Sequence, residues 1–106
     1  MNEVPNMSYI REISGGDEEF ETQLIKIVKI ELPKEIKSYN SYLEEKNYKF
    51  AADLVHKVKH KISTLGLVES YKLAIKHEID LRQENLKYKE DFDKVLKSMI
   101  NFINSH

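Results

Sequence analysis

Cysteine is absent from this 106-residue chain, which excludes disulfides, thiol nucleophiles and Cys-ligated zinc or iron–sulfur sites. Three glycines and two prolines are too few turn formers for an all-β sandwich or barrel. No apolar run approaches the roughly 18 residues of a spanning helix. Residues 1–5 carry neither the basic nor the apolar region of a signal peptide, so a reducing cytoplasm is the expected location and no membrane partner is expected. The net charge is only −1, and no global basic field draws the chain onto nucleic acid. What is present, 41% hydrophobic and 33% charged residues, reads as one soluble globular domain spanning residues 1–106.

The charge is uneven. Residues 1–48 hold 6 Lys+Arg against 10 Asp+Glu, a balance of −4, and residues 49–106 hold 11 against 8, a balance of +3. Apolar residues recur every three or four positions through most of the chain, which is the period of amphipathic helices. The spacing predicts a short helix over 6–13, broken by Ser14-Gly15-Gly16. A long helix follows over 17–46, N-capped by Asp17, with Glu18, Glu19 and Glu21 favouring its first turn and a kink expected at Pro33. Further helices are predicted over 47–65 with Asn47 as cap, 67–83, and 90–104. Four substantial helices with short connections imply an all-α fold, an antiparallel four-helix bundle with a short additional N-terminal helix. Fold alone says little about function.

The third helix carries the chemistry. On a helical wheel, Ala51, Leu54, Val58, Ile62 and Leu65 gather on one side. His56 sits at the centre of the other, with Lys49, Ala52, Asp53, Lys59, His60 and Ser63 around it. Small Ala52 one turn before His56 leaves the ring accessible, and Lys59 at i+3 brings an ammonium to anything negative on the imidazole. Such a setting suits a phosphorylated histidine. On the next helix Glu78 falls inside an apolar stripe of Leu67, Tyr71, Ala74, Ile75 and Leu81. An inward carboxylate needs a partner: water, Arg82 at i+4, or the Nδ1 of His56.

His56-x-x-Lys59, with Ser63 and Gly66 seven and ten residues past the histidine, resembles the signature of histidine-containing phosphotransfer domains, and the resemblance covers nearly the whole chain. It implies a phosphocarrier of a two-component phosphorelay that accepts a phosphoryl group on His56 from a receiver-domain aspartate and passes it to another receiver. It further implies that Glu78 orients the ring, that Lys59 neutralises the phosphoryl group, and that His60, Ser63 and Arg82 contribute to phosphate or partner binding. Receiver domains and a hybrid histidine kinase are the implied partners, with the carrier a monomer lacking its own nucleotide site, cofactor or enzymatic activity. Chemotaxis kinases resemble this pattern with a second histidine nineteen residues on, where this chain has Ile75. His60 departs from the pattern, which has glycine there, and Lys61 stands where a small residue is usual.

Two other readings stay open. A helical-bundle adaptor that binds a response regulator or another signalling protein without being phosphorylated would share every structural feature. His56 and His60 also form an i, i+4 pair with zinc-like spacing. No third or fourth ligand is in register, His77 and His106 included, so no structural or catalytic metal is expected. The ends of the chain look like those of a free-standing protein, although a domain of a larger kinase would read the same.

Overall fold

The computed structural model describes residues 3–106, so Met1 and Asn2 of the N-terminal segment lie outside the described residues. Among the described residues the chain is all-helical: α1 (Ser8–Ser14), α2 (Glu18–Glu44), α3 (Tyr48–Thr64), α4 (Val68–Arg82) and α5 (Lys89–Asn104). The predicted capping residues act as expected. Asp17 Oδ1 accepts from the Phe20 amide at 3.1 Å, and Asn47 Oδ1 accepts from the Phe50 amide at 3.3 Å. Each satisfies one of the amides left without a partner in a helical first turn. Pro33 lies within α2, which continues through it as one 27-residue helix. No helix of the described residues is long and apolar enough to cross a membrane.

The helices close a ring in which α3 packs against α2 and α4, and α5 packs against α2 and α4, with α1 lying on α2. The core holds Val28, Leu32 and Tyr39 of α2, Ala51, Leu54, Val55, Val58 and Ile62 of α3, Leu73, Ala74 and Leu81 of α4, and Phe92, Leu96, Met99 and Ile103 of α5. The α3 stripe of Ala51, Leu54, Val58, Ile62 and Leu65 is buried, as its periodicity predicts. On α2, Ile25, Val28, Leu32 and Tyr39 face inward, while Phe20 and Ile27 remain exposed. Ala52, expected beside His56 on the open side, is fully buried, because neighbouring helices cover this flank of α3.

Two polar side chains are buried with the core. His77 and Ser70 are at most 3% exposed. The Tyr39 hydroxyl and His77 Nε2 share a hydrogen bond of 2.7 Å from α2 to α4, and both rings pack edgewise or tilted against Phe92 of α5. Burial pushes His77 down to about 4, against the opposing pull of Asp93 and Asp80, so it is a neutral core residue at pH 7.

Candidate functional site

α3 and α4 form the most extensive helix pair, and their packing brings together residues 22 apart in sequence. His56 stands on the outer side of α3 with 56% of its side chain exposed. Glu78 of α4, whose side chain is only 13% exposed, reaches across, and both of its oxygens lie 3.3 Å from His56 Nδ1. That distance is at the long end of the hydrogen-bond range. Lys59 Nζ is 3.0 Å from Glu78 Oε1, and Arg82 Nη2 is 3.1 Å from Oε2. Arg82 also bonds Asp53 Oδ1 at 3.0 Å. Burial pushes the Glu78 carboxyl up, but hydrogen bonds from Lys59, Arg82 and His56 outweigh it and hold the group below the usual carboxylate range.

An ionised carboxylate only accepts. Glu78 therefore selects the His56 tautomer with the proton on Nδ1, leaving the Nε2 lone pair directed away from α4. The inward carboxylate of α4 thus takes two of the partners its position suggested, Arg82 and His56, and Lys59 as a third. Lys59 was expected to face a phosphoryl group on the ring. In this structure its ammonium, 13% exposed, is drawn onto Glu78 and lies 6.0 Å from the centre of the Tyr71 ring.

The remaining site candidates divide. His60, one turn beyond His56, is exposed and sets its ring edgewise to His56, with centroids 5.8 Å apart and planes at 88°. Arg82 belongs to the Glu78 cluster. Ser63 does not: it lies two turns along α3, roughly 10 Å by helical rise, lining a shallow depression at the α3–α4 turn with Gly66, Val68 and Tyr71. Lys61, on the flank of the basic segment, is bound by α2, 2.9 Å from Glu31 and 3.1 Å from Glu35. Its charge is spent within the fold, and Lys57 is the exposed lysine beside His56 that forms no ion pair among the described residues.

Sequence reasoning missed Asp53 as the second partner of Arg82, and the Lys59–Glu78 pair. Both cross from α3 to α4, and no local spacing signals them. Among the described residues no group of three or more His, Asp or Glu side chains is disposed to hold a metal ion. Comparison with known protein families, curated proteins and solved structures finds no match.

Proposed function

We propose that this chain is a phosphocarrier of the histidine phosphotransfer type, built as an antiparallel four-helix bundle with a short N-terminal helix. The observation that carries the reading is the His56–Glu78 contact. An exposed imidazole is held at Nδ1 by a mostly buried carboxylate, which in the neutral ring places the proton on Nδ1 and leaves the lone pair on Nε2, open to an incoming electrophile.

In the proposed step the Nε2 lone pair attacks the phosphorus of a receiver's aspartyl phosphate. An N–P bond forms, the P–O bond to the aspartyl carboxylate breaks, and that carboxylate leaves as an anion. Positive charge that develops on the ring is shared with the Nδ1 proton and stabilised by Glu78. Transfer to a second receiver reverses the step. Positioning and electrostatics do most of the work in phosphoryl transfer. The receiver supplies its own magnesium, and this chain contributes the nucleophile, its orientation, the cation of Lys57, and that of Lys59 once it leaves Glu78 for the phosphoryl group. His60, one turn beyond His56, borders the path of the incoming group; Arg82 acts through Glu78, which it holds at 3.1 Å, and Ser63 lies toward the rim of the contact.

The test is to mix the protein with receiver domains of its own organism, charged with acetyl phosphate. Acid-labile, base-stable phosphate should appear on the chain and vanish in His56→Gln. Absence of label with every receiver, while those receivers still bind the chain, overturns phosphotransfer in favour of the unphosphorylated adaptor.

A further inference from the structure

His60 departs from the glycine of the phosphotransfer pattern, and phosphotransfer itself does not require a second imidazole there. The His60 ring is exposed, and among the described residues its nitrogens bond to no protein group; its one aromatic ring contact is the edge of His56. Side chains at i and i+4 lie on one helical face, one above the other. Two imidazoles with centroids 5.8 Å apart are close enough for side-chain rotation to point one nitrogen each at a common ion, given metal–nitrogen bonds of about 2.0–2.1 Å.

The surroundings favour this chemistry in two ways. A metal-binding histidine usually donates its second ring N–H to a carboxylate, which fixes the tautomer and raises the basicity of the ligating nitrogen. Glu78 gives His56 that arrangement at 3.3 Å. The local cations are also largely neutralised: Lys59 and Arg82 by Glu78 and Asp53, and Lys61 by Glu31 and Glu35. A divalent ion approaching the pair therefore meets a nearly balanced field, with Lys57 the adjacent lysine that forms no ion pair among the described residues.

We propose that His56 and His60 together chelate a borderline divalent transition-metal ion, such as zinc or copper(II), through one nitrogen of each ring, with water completing the coordination. The His56 nitrogen that binds the ion is Nε2, the nitrogen assigned to phosphoryl acceptance. Metal and phosphoryl group consequently exclude one another, and the ion inhibits the carrier. The binding claim stands on the histidine pair alone; the inhibition rests on the phosphotransfer reading. Imidazole donors select zinc and copper over magnesium and calcium, which prefer oxygen ligands.

Calorimetric titration of the full chain with Zn²⁺, beside ring-resolved NMR of the histidines, tests the chelate. One ion should bind per chain, with His56 and His60 signals shifting together. His60→Ala and His56→Gln should each weaken binding by more than about tenfold, because each leaves a single imidazole donor. Loss of the outer carboxylate in Glu78→Gln should weaken it by about tenfold, His106→Ala should bind like the unaltered chain, and Mg²⁺ should not bind. Equal Zn²⁺ affinity in the unaltered chain and His60→Ala overturns the chelate. The regulatory half is read separately, as Zn²⁺ inhibition of label uptake relative to each protein's metal-free rate, strong in the unaltered chain and lost in His60→Ala. Zn²⁺ binding without label under any condition overturns phosphotransfer and keeps the chelate. Label that Zn²⁺ leaves undisturbed while the ion is bound overturns the inhibition.

Discussion

Glu78 joins three partners through two oxygens: His56, Lys59 and Arg82. Because both Glu78 and Lys59 are largely withdrawn from water, removing the carboxylate charge strands the lysine. Glu78→Gln is expected to lower unfolding free energy by about 1–2 kcal/mol, the range for a polar group deprived of its partner. Adding Lys59→Met should recover part of the loss, since no cation then remains unpaired. Urea denaturation at pH 7 of both single variants and the double variant measures this; strict additivity would show that the pair is not coupled. Glu78 itself was legible in the sequence as a carboxylate inside an apolar stripe, and the i+4 relation to Arg82 was visible too. The Lys59 contact was not, because it depends on how closely α3 approaches α4.

Two positions show how element boundaries and element interiors follow different logic. Pro33 is exposed and lies within the uninterrupted α2. Its ring donates no hydrogen bond one turn back, and Lys29, whose carbonyl loses that partner, is also exposed, so water can take the place of the amide. Interior proline still costs a helix up to about 3 kcal/mol. Pro33→Ala should therefore stabilise the protein by about 1–3 kcal/mol in thermal denaturation, and an unchanged midpoint would mean that neighbouring groups fully compensate.

Gly66 is the opposite case. It holds φ at +76°, and a Cβ there would stand 2.6 Å from the Asn6 side-chain oxygen. The segment preceding α1 lies across this turn: the Asn6 amide donates to the Leu65 carbonyl at 2.9 Å, and the Glu3 carboxylate accepts from the amides of Glu69 and Ser70 at 2.7 and 2.9 Å. Gly66→Ala should cost more than about 1 kcal/mol, from backbone strain and from displacement of that strap. Calorimetry reads the loss, and Gly16→Ala, which also sits at positive φ (+94°) but has no neighbour within 4 Å, separates the two causes. The helices and both asparagine and aspartate caps were legible from spacing. The strap was not, since its hydrogen bonds join residues 66 and 67 positions apart.

Across the whole molecule, the three-ring cluster of Tyr39, His77 and Phe92 ties α2, α4 and α5 together at the centre of the core. His77 is buried neutral and faces Tyr39 of α2, Asp80 of its own helix, and Lys89 and Asp93 of α5. Its folded pKa, near 4, lies below the ordinary 6.5, so the unfolded chain takes up the proton first as pH falls. The stability due to a neutral His77 is complete above about pH 6.5 and is lost as pH drops toward 4, by about 3 kcal/mol in all. Glu3 and Glu78 have lowered carboxyl pKa values and begin to contribute only below their ordinary 4.5, so the slope between 6.5 and 5 belongs to His77. Chemical denaturation across pH 4–7 should show that slope, and His77→Gln, which keeps a partner for Tyr39, should flatten it. A slope that persists in the variant would place the titration elsewhere.

Periodicity, capping residues and the scarcity of glycine and proline determined the helices, because each of these acts within a few residues of chain. The same local logic put His56 on the outer side of α3. Whether Ile27 or Val28 faces inward on α2, why Ala52 is sealed while His56 stays open, and why His77 is a core residue were decided only by packing between helices. So was the fate of the positive charge in the second half of the chain. By sequence it surrounds His56, whereas in the folded molecule Lys59, Lys61 and Arg82 are each held by carboxylates from α3, α4 or α2. Ion pairs form between groups a few ångströms apart, and for residues on different helices only the tertiary fold sets that distance.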